Sequence, residues 1–405
     1  MSDTPSLMPA AVIARPSARP LTLAAYACFV PIGIATILLG PMLPILSARW
    51  SMTYSEAGRL FPVQYIAATA GVAASGWLVS RRGFRFAIRI GLLLLAAGLA
   101  LLLAGSKLLA LFCIAGYGVG LGIAVPAANL LVAELNPDRR SATLNWLNFW
   151  WSAGAVSCPF LVAAAAKSHR LPQFLGAVSG LSLLVFAIFV AVPGTTVQSK
   201  DNHDKKLEIV PLIRRSLSSF LALAALFFIY VGSENSFGGW VASYAKNLDN
   251  LSPAMAALTP AFFYAALTVG RSLAPALLRE VDDVKLAQAG VLLGVAGTAG
   301  LVFSSGLIGV AVSACAAGLG FSSVYPISIA LLSREFGSAS SRIGSVMFTL
   351  SNLGGGLLPW VVGVYSTRFG TLKAGLLVPL LGSIVMFAIL LGKWARPEAP
   401  SVKQI

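Results

Sequence analysis

Two ionisable side chains lie inside long apolar segments, where they carry the clearest chemical signal in the sequence. Glu234 is flanked by Asn235 and sits deep in an apolar run, and Arg271 follows Gly270 late in the next one. A charge placed in the middle of a membrane-spanning helix costs ~2.5–3.5 kcal/mol on insertion scales. Glu234 could accept a hydrogen bond from a substrate hydroxyl or carry a coupling ion such as a proton. The structural alternative is that Glu234 pairs with Arg271 or caps an unwound stretch.

Neutral polar side chains recur at helical spacing in the same segments. Asn145, Asn148 and Ser152 fall at i, i+3 and i+7, which places them on one helix face with Trp151 beside it. Sugar hydroxyls need such donors and acceptors, and sugar rings stack on aromatic faces. An interhelical hydrogen bond, worth ~0.6 kcal/mol on average, is the structural alternative for any one of them. As a group they predict a polar substrate cavity formed by Gln64, Asn145, Asn148, Trp151, Tyr230, Glu234, Asn235, Tyr264 and Asn352.

The elements that must position these residues are membrane-spanning helices. Of the 405 residues, 57% are hydrophobic and 11% are charged, whereas soluble domains carry about 25% charged residues. Apolar runs of ~20 residues, long enough to cross the hydrocarbon layer, recur throughout. We therefore predict an all-α membrane protein of twelve spans in two pseudo-symmetric six-helix bundles, at residues 21–46, 55–78, 86–104, 108–133, 142–166, 172–193, 216–243, 255–278, 285–305, 307–332, 342–366 and 372–393.

Charge predicts the orientation and the domain limits. With the N-terminus inside, the inner segments carry 20 Lys and Arg residues and the outer segments carry 7, as expected of an inner-membrane protein with both termini cytoplasmic. The one long interior polar stretch divides the chain almost in half. The predicted parts are an N-terminal tail (1–20), a first bundle (21–193), a cytoplasmic linker (194–215), a second bundle (216–393) and a C-terminal tail (394–405).

An internal repeat at an offset of 200 residues supports two related halves. Glycine, proline and serine positions match in pairs, and we expect them to set close helix approach and kinks in both bundles. The pairs are Gly118/Gly318, Gly120/Gly320, Pro126/Pro326, Ser141/Ser341, Gly154/Gly354 and Pro159/Pro359. In transporters built from such parallel repeats the substrate binds between the halves.

The loop after span 2, Gly76-Trp77-Leu78-Val79-Ser80-Arg81-Arg82-Gly83-Phe84-Arg85, resembles the signature loop of the major facilitator superfamily. A tight glycine turn there would let guanidinium groups bind neighbouring helix ends. Ser80 replaces the signature aspartate. Glu134 is expected to pair with Arg139 or Arg140, and Arg271 is grouped with the counterpart of this loop in the second half. The predicted cytoplasmic gate comprises Gly76, Arg81, Arg82, Gly83, Arg85, Glu134, Arg139, Arg140 and Arg271.

Three stretches resemble the fucose permease-like sugar transporters of that superfamily. They are Tyr230 to Trp240, Asn129 to Asn148, and Gly354 to Trp360. The resemblance implies a secondary active or facilitative transporter for a hexose, working by alternating access. Its proton-linked members carry carboxylates in spans 1 and 4, which are absent here, so Glu234 is the remaining candidate for ion coupling. An exporter of drugs or lipophilic compounds is the alternative.

Several other functions are disfavoured by the residue pattern. His169 and His203 both lie in loops and no nucleophile–base set or metal-ligand spacing is present, so we expect no enzyme activity, no cofactor and no metal. The sequence lacks a basic stripe with interleaved aromatic residues, the pattern typical of nucleic-acid binding, so we do not expect nucleic acid as a partner. The predicted partners are a sugar, a co-transported proton or sodium ion, and membrane lipids, and the expected form is a monomer. Glu56 and Arg59, one turn apart, are expected to pair locally.

Overall fold

The computed structural model describes residues 19–192, 213–214, 216–249 and 251–394. The predicted linker, apart from residues 213 and 214, and most of the two predicted tails lie outside these residues. The described chain forms twelve long helices: α1 in two pieces (Arg19–Ile37 and Leu39–Arg49), α2 (Leu60–Arg82), α3 (Phe84–Leu101), α4 (Lys107–Leu135), α5 (Arg140–Lys167), α6 (Leu171–Ala191), α7 (Leu217–Asp249), α8 (Thr259–Leu277), α9 (Asp283–Phe303), α10 in two pieces (Leu307–Phe321 and Val324–Phe336), α11 (Ser340–Phe369) and α12 (Leu372–Trp394).

The predicted twelve-helix membrane architecture is confirmed. Eleven of the described helices are long and apolar enough to cross a membrane. The remaining helix, α2, has 23 residues and is less apolar because alanine, glycine, Gln64 and Ser75 take many of its positions. The prediction for this region is wrong in one respect. Residues 54–58 form a separate short helix, Tyr54–Gly58, and α2 begins only at Leu60.

Two spans that the sequence predicts as continuous are interrupted next to a proline. Pro41 has no N–H to donate to the carbonyl of Ile37, and α1 breaks between Ile37 and Leu39. Pro326 likewise cannot donate to Ser322, and α10 breaks there. The matching Pro126 leaves α4 unbroken from Lys107 to Leu135. The proline repeat therefore does not impose the same shape on both halves.

The glycine repeat does correspond to equivalent packing in the two halves. A Cβ atom on Gly154 of α5 would lie 2.2 Å from the carbonyl oxygen of Val30 in α1, and one on Gly354 of α11 would lie 2.0 Å from that of Phe228 in α7. Only glycine allows the backbones to approach this closely. The predicted close approach is therefore present at both positions of this pair.

We name the two membrane faces by their loops. The basic face carries the loops around Arg81–Arg89, Arg139–Arg140, Arg279–Lys285 and Arg334–Arg342. The opposite face carries the short helices Tyr54–Gly58 and Pro253–Ala256.

Candidate functional site

A small polar cavity lies between the two halves, beside the middle of α1 and α7 and the first turns of α2 and α8. Its volume of about 10 Å³ suits about one water molecule. Both halves contribute polar groups to its wall. The lining residues are Thr36, Ile37, Leu39, Gly40, Phe61, Gln64, Tyr65, Asn235, Gly239 and Tyr264.

On the first-half side, the polar groups are bonded to each other around the break in α1. Gln64 is buried and its amide Nε2 donates to the carbonyl oxygen of Thr36 at 3.2 Å. The Tyr117 hydroxyl donates to Gln64 Oε1 at 3.3 Å, and Trp151 Nε1 donates to Thr36 Oγ1 at 3.4 Å. Both ends of the Gln64 amide are thus engaged within the first half in this conformation.

One hydrogen bond crosses the cavity and joins the halves. The Tyr65 hydroxyl donates to Asn235 Oδ1 at 2.5 Å, and Asn235 Nδ2 donates to the carbonyl oxygen of Val231 on its own helix at 2.8 Å. Tyr65 fits against α11 because a Cβ on Gly355 would lie 2.8 Å from its ring. Tyr65 therefore bonds α7 and packs against α11 from the other half.

A charged cluster lies next to this bridge, within the second half. Residues 230 and 234 are one turn apart on α7, which places both side chains on the face toward α8. Arg271 Nη2 lies 3.8 Å from Glu234 Oε1 and 3.4 Å from the Tyr230 hydroxyl. A charged hydrogen bond is typically ~2.7–2.9 Å long, so the Glu234 carboxylate is attracted to Arg271 without being held by it.

Arg271 lies away from the loop with which the sequence analysis groups it. It is six residues before the end of α8, about 9 Å along the axis, and its side chain reaches toward the middle of α7. Its Nε is buried and has no hydrogen-bond partner among the described residues. The structural alternative for Glu234, pairing with Arg271, is present as a loose ion pair.

The halves close against each other at the opposite face. The short helix Tyr54–Gly58 of the first half docks on α7 and α11 of the second. Its Ser55 backbone N–H donates to Thr367 Oγ1 at 2.8 Å. The Tyr54 hydroxyl accepts from Asn247 Nδ2 at 2.7 Å, and its ring meets that of Trp240 edge-on at 6.3 Å between centroids.

Local chemistry fixes this short helix to its own half as well. Thr53 and Glu56 form a capping box, in which each side chain bonds the other's backbone N–H. Lys107 Nζ also donates to the Glu56 carboxylate, and these hydrogen bonds lower the pKa of Glu56 to about 2. The predicted pair of Glu56 with Arg59 is therefore wrong, because Lys107 from α4 takes that place.

The ends of α5, α8 and α11 that lie toward the basic face are more exposed. Asn145 and Asn148 are both exposed, and Asn148 Nδ2 donates to the carbonyl oxygen of Leu144 on its own helix. Exposed aromatic side chains follow the same stretch of α5, namely Trp146, Phe149 and Trp150. The exposed Asn145 and Asn148 and the contacts at the opposite face fit a molecule whose described residues are closed at the opposite face and open at the basic face.

The predicted gate residues do not all behave as expected. Gly83 has φ +82° and ends α2 in a turn that favours glycine, and Arg85 Nη2 donates to the carbonyl oxygens of Phe189 and Val192 at the end of α6. The expected binding of a guanidinium to a neighbouring helix end is therefore present. Gly76, in contrast, has no packing neighbour at its Cβ position.

The expected ion pair of Glu134 does not form in this conformation. Glu134, Arg139 and Arg140 are all exposed, and none of them is in an ion pair with another described residue. An inner gate built from these residues stays a prediction.

Of the predicted binding residues, the structure brings together Gln64, Asn235 and Tyr264 at the cavity, with Trp151, Tyr230 and Glu234 close by. Asn145, Asn148 and the half-buried Asn352 do not line it. Sequence reasoning missed Thr36, Tyr65 and Tyr325. Tyr325 meets the Tyr230 ring at 5.6 Å, and its position beside Pro326 was the available signal.

Comparisons with known proteins agree with this architecture. Residues 25–359 match the sequence profile of the Major Facilitator Superfamily. A glucose/galactose transporter of Brucella abortus is 26% identical over 382 residues, covering 89% of this chain and 91% of that protein.

Two solved structures share the fold at low sequence identity. A bacterial homologue of the human lysosomal transporter Spinster gives a TM-score of 0.77 with 15% identity, over 93% of this chain and 97% of that one. The fucose:proton symporter of E. coli gives 0.63 with 20% identity, over 93% and 98%. With twelve helices, paired halves and a profile match over most of its length, the chain belongs to the Major Facilitator Superfamily.

Proposed function

We propose that this transporter moves a neutral hexose through the central cavity by alternating access, with a proton bound at Glu234 as the coupling ion. The observation that carries the proposal is the ring of neutral hydrogen-bonding groups from both halves around Gln64, Tyr65 and Asn235. Such groups match sugar hydroxyls, and the tyrosine rings offer faces for the sugar ring. The Brucella relative, a glucose/galactose transporter, supports the same substrate class.

The cavity in this conformation is too small for a hexose. Opening of the basic face must therefore extend further into the centre before the sugar binds. The exposed Asn145 and Asn148 on the inner half of α5 then lie on the path between cavity and solvent. We keep them, with Asn352, as proposed ligands for a more open state.

The position of Glu234 on α7 supports a role in coupling. The carboxylate faces Arg271 inside the second half, while the adjacent Asn235 holds Tyr65 of the first half. When Glu234 takes a proton, its attraction to Arg271 weakens and this turn of α7 can shift. The same shift would loosen the Tyr65–Asn235 bond, so that proton binding and opening of the opposite face are linked.

The proposed location is the inner membrane, with the basic face and both termini toward the cytoplasm, since basic loops are retained on that side. In this orientation the conformation described here is inward-open. The opposite face, closed by the short helix Tyr54–Gly58, is the side from which protons and sugar enter.

Uptake by purified protein in liposomes tests the proposal. With labelled glucose or galactose and an inward proton gradient, the wild type should accumulate sugar, and without the gradient it should show counterflow only. Glu234→Gln should abolish gradient-driven accumulation and retain counterflow. Glu280→Gln, at an exposed carboxylate in the loop after α8, is the matched control and should keep both.

Each part of the proposal can fail separately. Absence of both accumulation and counterflow for hexoses in the wild type would contradict the sugar assignment. Uptake that only equilibrates would contradict proton coupling and indicate facilitated diffusion. Undiminished accumulation by Glu234→Gln would remove that carboxylate from coupling.

A further inference from the structure

The loop between α2 and α3 concentrates positive charge at the basic face. Arg81, Arg82, Arg85 and Arg89 fall within nine residues. The ion pairs found among the described residues join Lys107 to Glu56, Arg271 to Glu234 and Arg334 to Asp283, so none of them neutralises this loop. Ser80, where the signature loop has aspartate, donates its hydroxyl to the carbonyl oxygen of Trp77 at 3.0 Å.

The four arginines do not share one role. Arg85 donates hydrogen bonds to the carbonyl oxygens at the end of α6, and Arg89 Nε donates to the carbonyl oxygen of Arg85. Arg81 and Arg82 are exposed and contact aromatic rings instead. The Arg81 guanidinium lies 4.9 Å from the Trp77 ring centroid, and that of Arg82 lies 5.5 Å from the centroid of Phe86.

This arrangement has the chemistry of a phosphate site at a membrane surface. A guanidinium that lies beside an aromatic ring still carries its N–H donors in the plane of the group, where they match phosphate oxygens in pairs. Trp77 is 56% exposed one turn before the end of α2, the position of an indole at headgroup depth. The ligand that offers both a phosphate at that depth and acyl chains against α2 is a phospholipid.

We propose that Trp77, Arg81 and Arg82 form a binding site for the headgroup of an anionic phospholipid at the basic end of α2. We expect the site to prefer anionic over zwitterionic lipids. No described carboxylate at the loop offsets the two guanidinium charges, so a headgroup with a net negative charge is attracted most strongly. The site is independent of the transported solute.

Lipid titration of the detergent-purified full chain tests the site. Dioleoyl phosphatidylglycerol should raise the thermal unfolding temperature of the wild type saturably, and dioleoyl phosphatidylcholine should not. Arg81→Gln with Arg82→Gln should raise the half-saturating concentration by about fivefold for each charge removed. Lysine at both positions keeps the charge but loses paired donation, and should give an intermediate value.

A matched control lies on the other side of the molecule. The Arg368 guanidinium lies 5.9 Å from the centroid of the Phe369 ring at the opposite face, and Arg368→Gln should leave the phosphatidylglycerol titration unchanged. An equal loss in Arg368→Gln, or an unchanged titration in the double glutamine variant, would overturn the proposal. So would the same stabilisation by inorganic phosphate alone, since the site would then bind a free anion.

Discussion

At the scale of single residues, two neighbours on α2 serve different halves of the molecule. Gln64 bonds Thr36 and Tyr117 within the first half, whereas Tyr65 bonds Asn235 of the second. Successive residues on a helix point about 100° apart, so adjacent side chains reach different neighbours. Tyr65 therefore contributes to the closed state of the opposite face, and Gln64 contributes to the shape of the cavity.

Replacing Tyr65 by phenylalanine should favour opening of the opposite face. The lost hydrogen bond is worth about 1 kcal/mol, or roughly fivefold in the open-to-closed ratio. A cysteine at Ile37, which lines the cavity, reports this opening through its rate of labelling by a membrane-impermeant maleimide added at the opposite face. The background chain for this measurement has its four native cysteines replaced.

The control for this measurement is Tyr365→Phe. Tyr365 is exposed on α11, where its ring contacts Phe369 on the same helix, so the labelling rate should match the background chain. Equal rates in Tyr65→Phe and the background would show that the bridge does not contribute to closure.

At the scale of elements, the short helix Tyr54–Gly58 closes the opposite face, and we call it the latch; its local structure depends on Glu56. The pKa of Glu56 is lowered to about 2 in the folded chain. The ionised carboxylate therefore stabilises the fold fully when the pH is above the pKa of Glu56 in the unfolded chain, ~4.3. This stabilisation is lost as the pH falls toward 2. The unfolding temperature of Glu56→Gln should therefore lie below that of the wild type at about pH 7, and the gap should narrow at about pH 3.

Lys107→Gln separates this ion pair from the rest of the latch. In that background, Glu56→Gln should cost less than in the wild type, because the main hydrogen-bond donor to the carboxylate is already missing. A gap between Glu56→Gln and the wild type that stays constant with pH would contradict the assigned pKa shift.

The contact between the latch and α11 leads to a second prediction. A Cβ on Gly363 would lie 2.4 Å from the carbonyl oxygen of Tyr54 in the other half. Gly363→Ala should therefore disfavour the closed opposite face by about 1–3 kcal/mol and slow uptake, while the fold is retained because opening relieves the clash. Maleimide labelling at residue 37 should accelerate.

Gly180→Ala is the matched glycine control for this variant. Gly180 lies within α6 and has no packing neighbour at its Cβ position, so labelling and uptake should stay at the wild-type level. Labelling of Gly363→Ala at the wild-type rate would show that the short helix does not seal the opposite face.

At the scale of the whole molecule, the two halves repeat their packing. Gly154 and Gly354 each allow two helices of the same half to pack closely. Opening between the halves therefore cannot relieve the clash that a Cβ atom would cause at either position. Gly154→Ala and Gly354→Ala should each lower the free energy of unfolding by about 1–3 kcal/mol, by similar amounts, with Gly180→Ala as the neutral control. A loss in only one half, measured by thermal unfolding, would contradict equivalent packing.

The sequence by itself determined the twelve helices and their paired halves. Helix length against bilayer thickness is a property of one segment at a time, and the glycine repeat is visible as an offset along the chain. Glu234 could also be identified as a candidate functional charge from the apolar residues around it in the sequence alone. Local features of this kind set what each segment must be, whatever its neighbours are.

Only the tertiary structure decided which of these residues meet. Arg271 lies in a different helix from Glu234, and Tyr65 lies 170 residues from Asn235. Whether two such side chains face each other depends on the rotation and axial position of each helix against the next, which hydropathy does not encode. For the same reason the sequence analysis predicted Gln64 but not Tyr65 as a binding residue, and it grouped Arg271 with the second-half counterpart of the signature loop. Which membrane face is closed could not be predicted from the sequence.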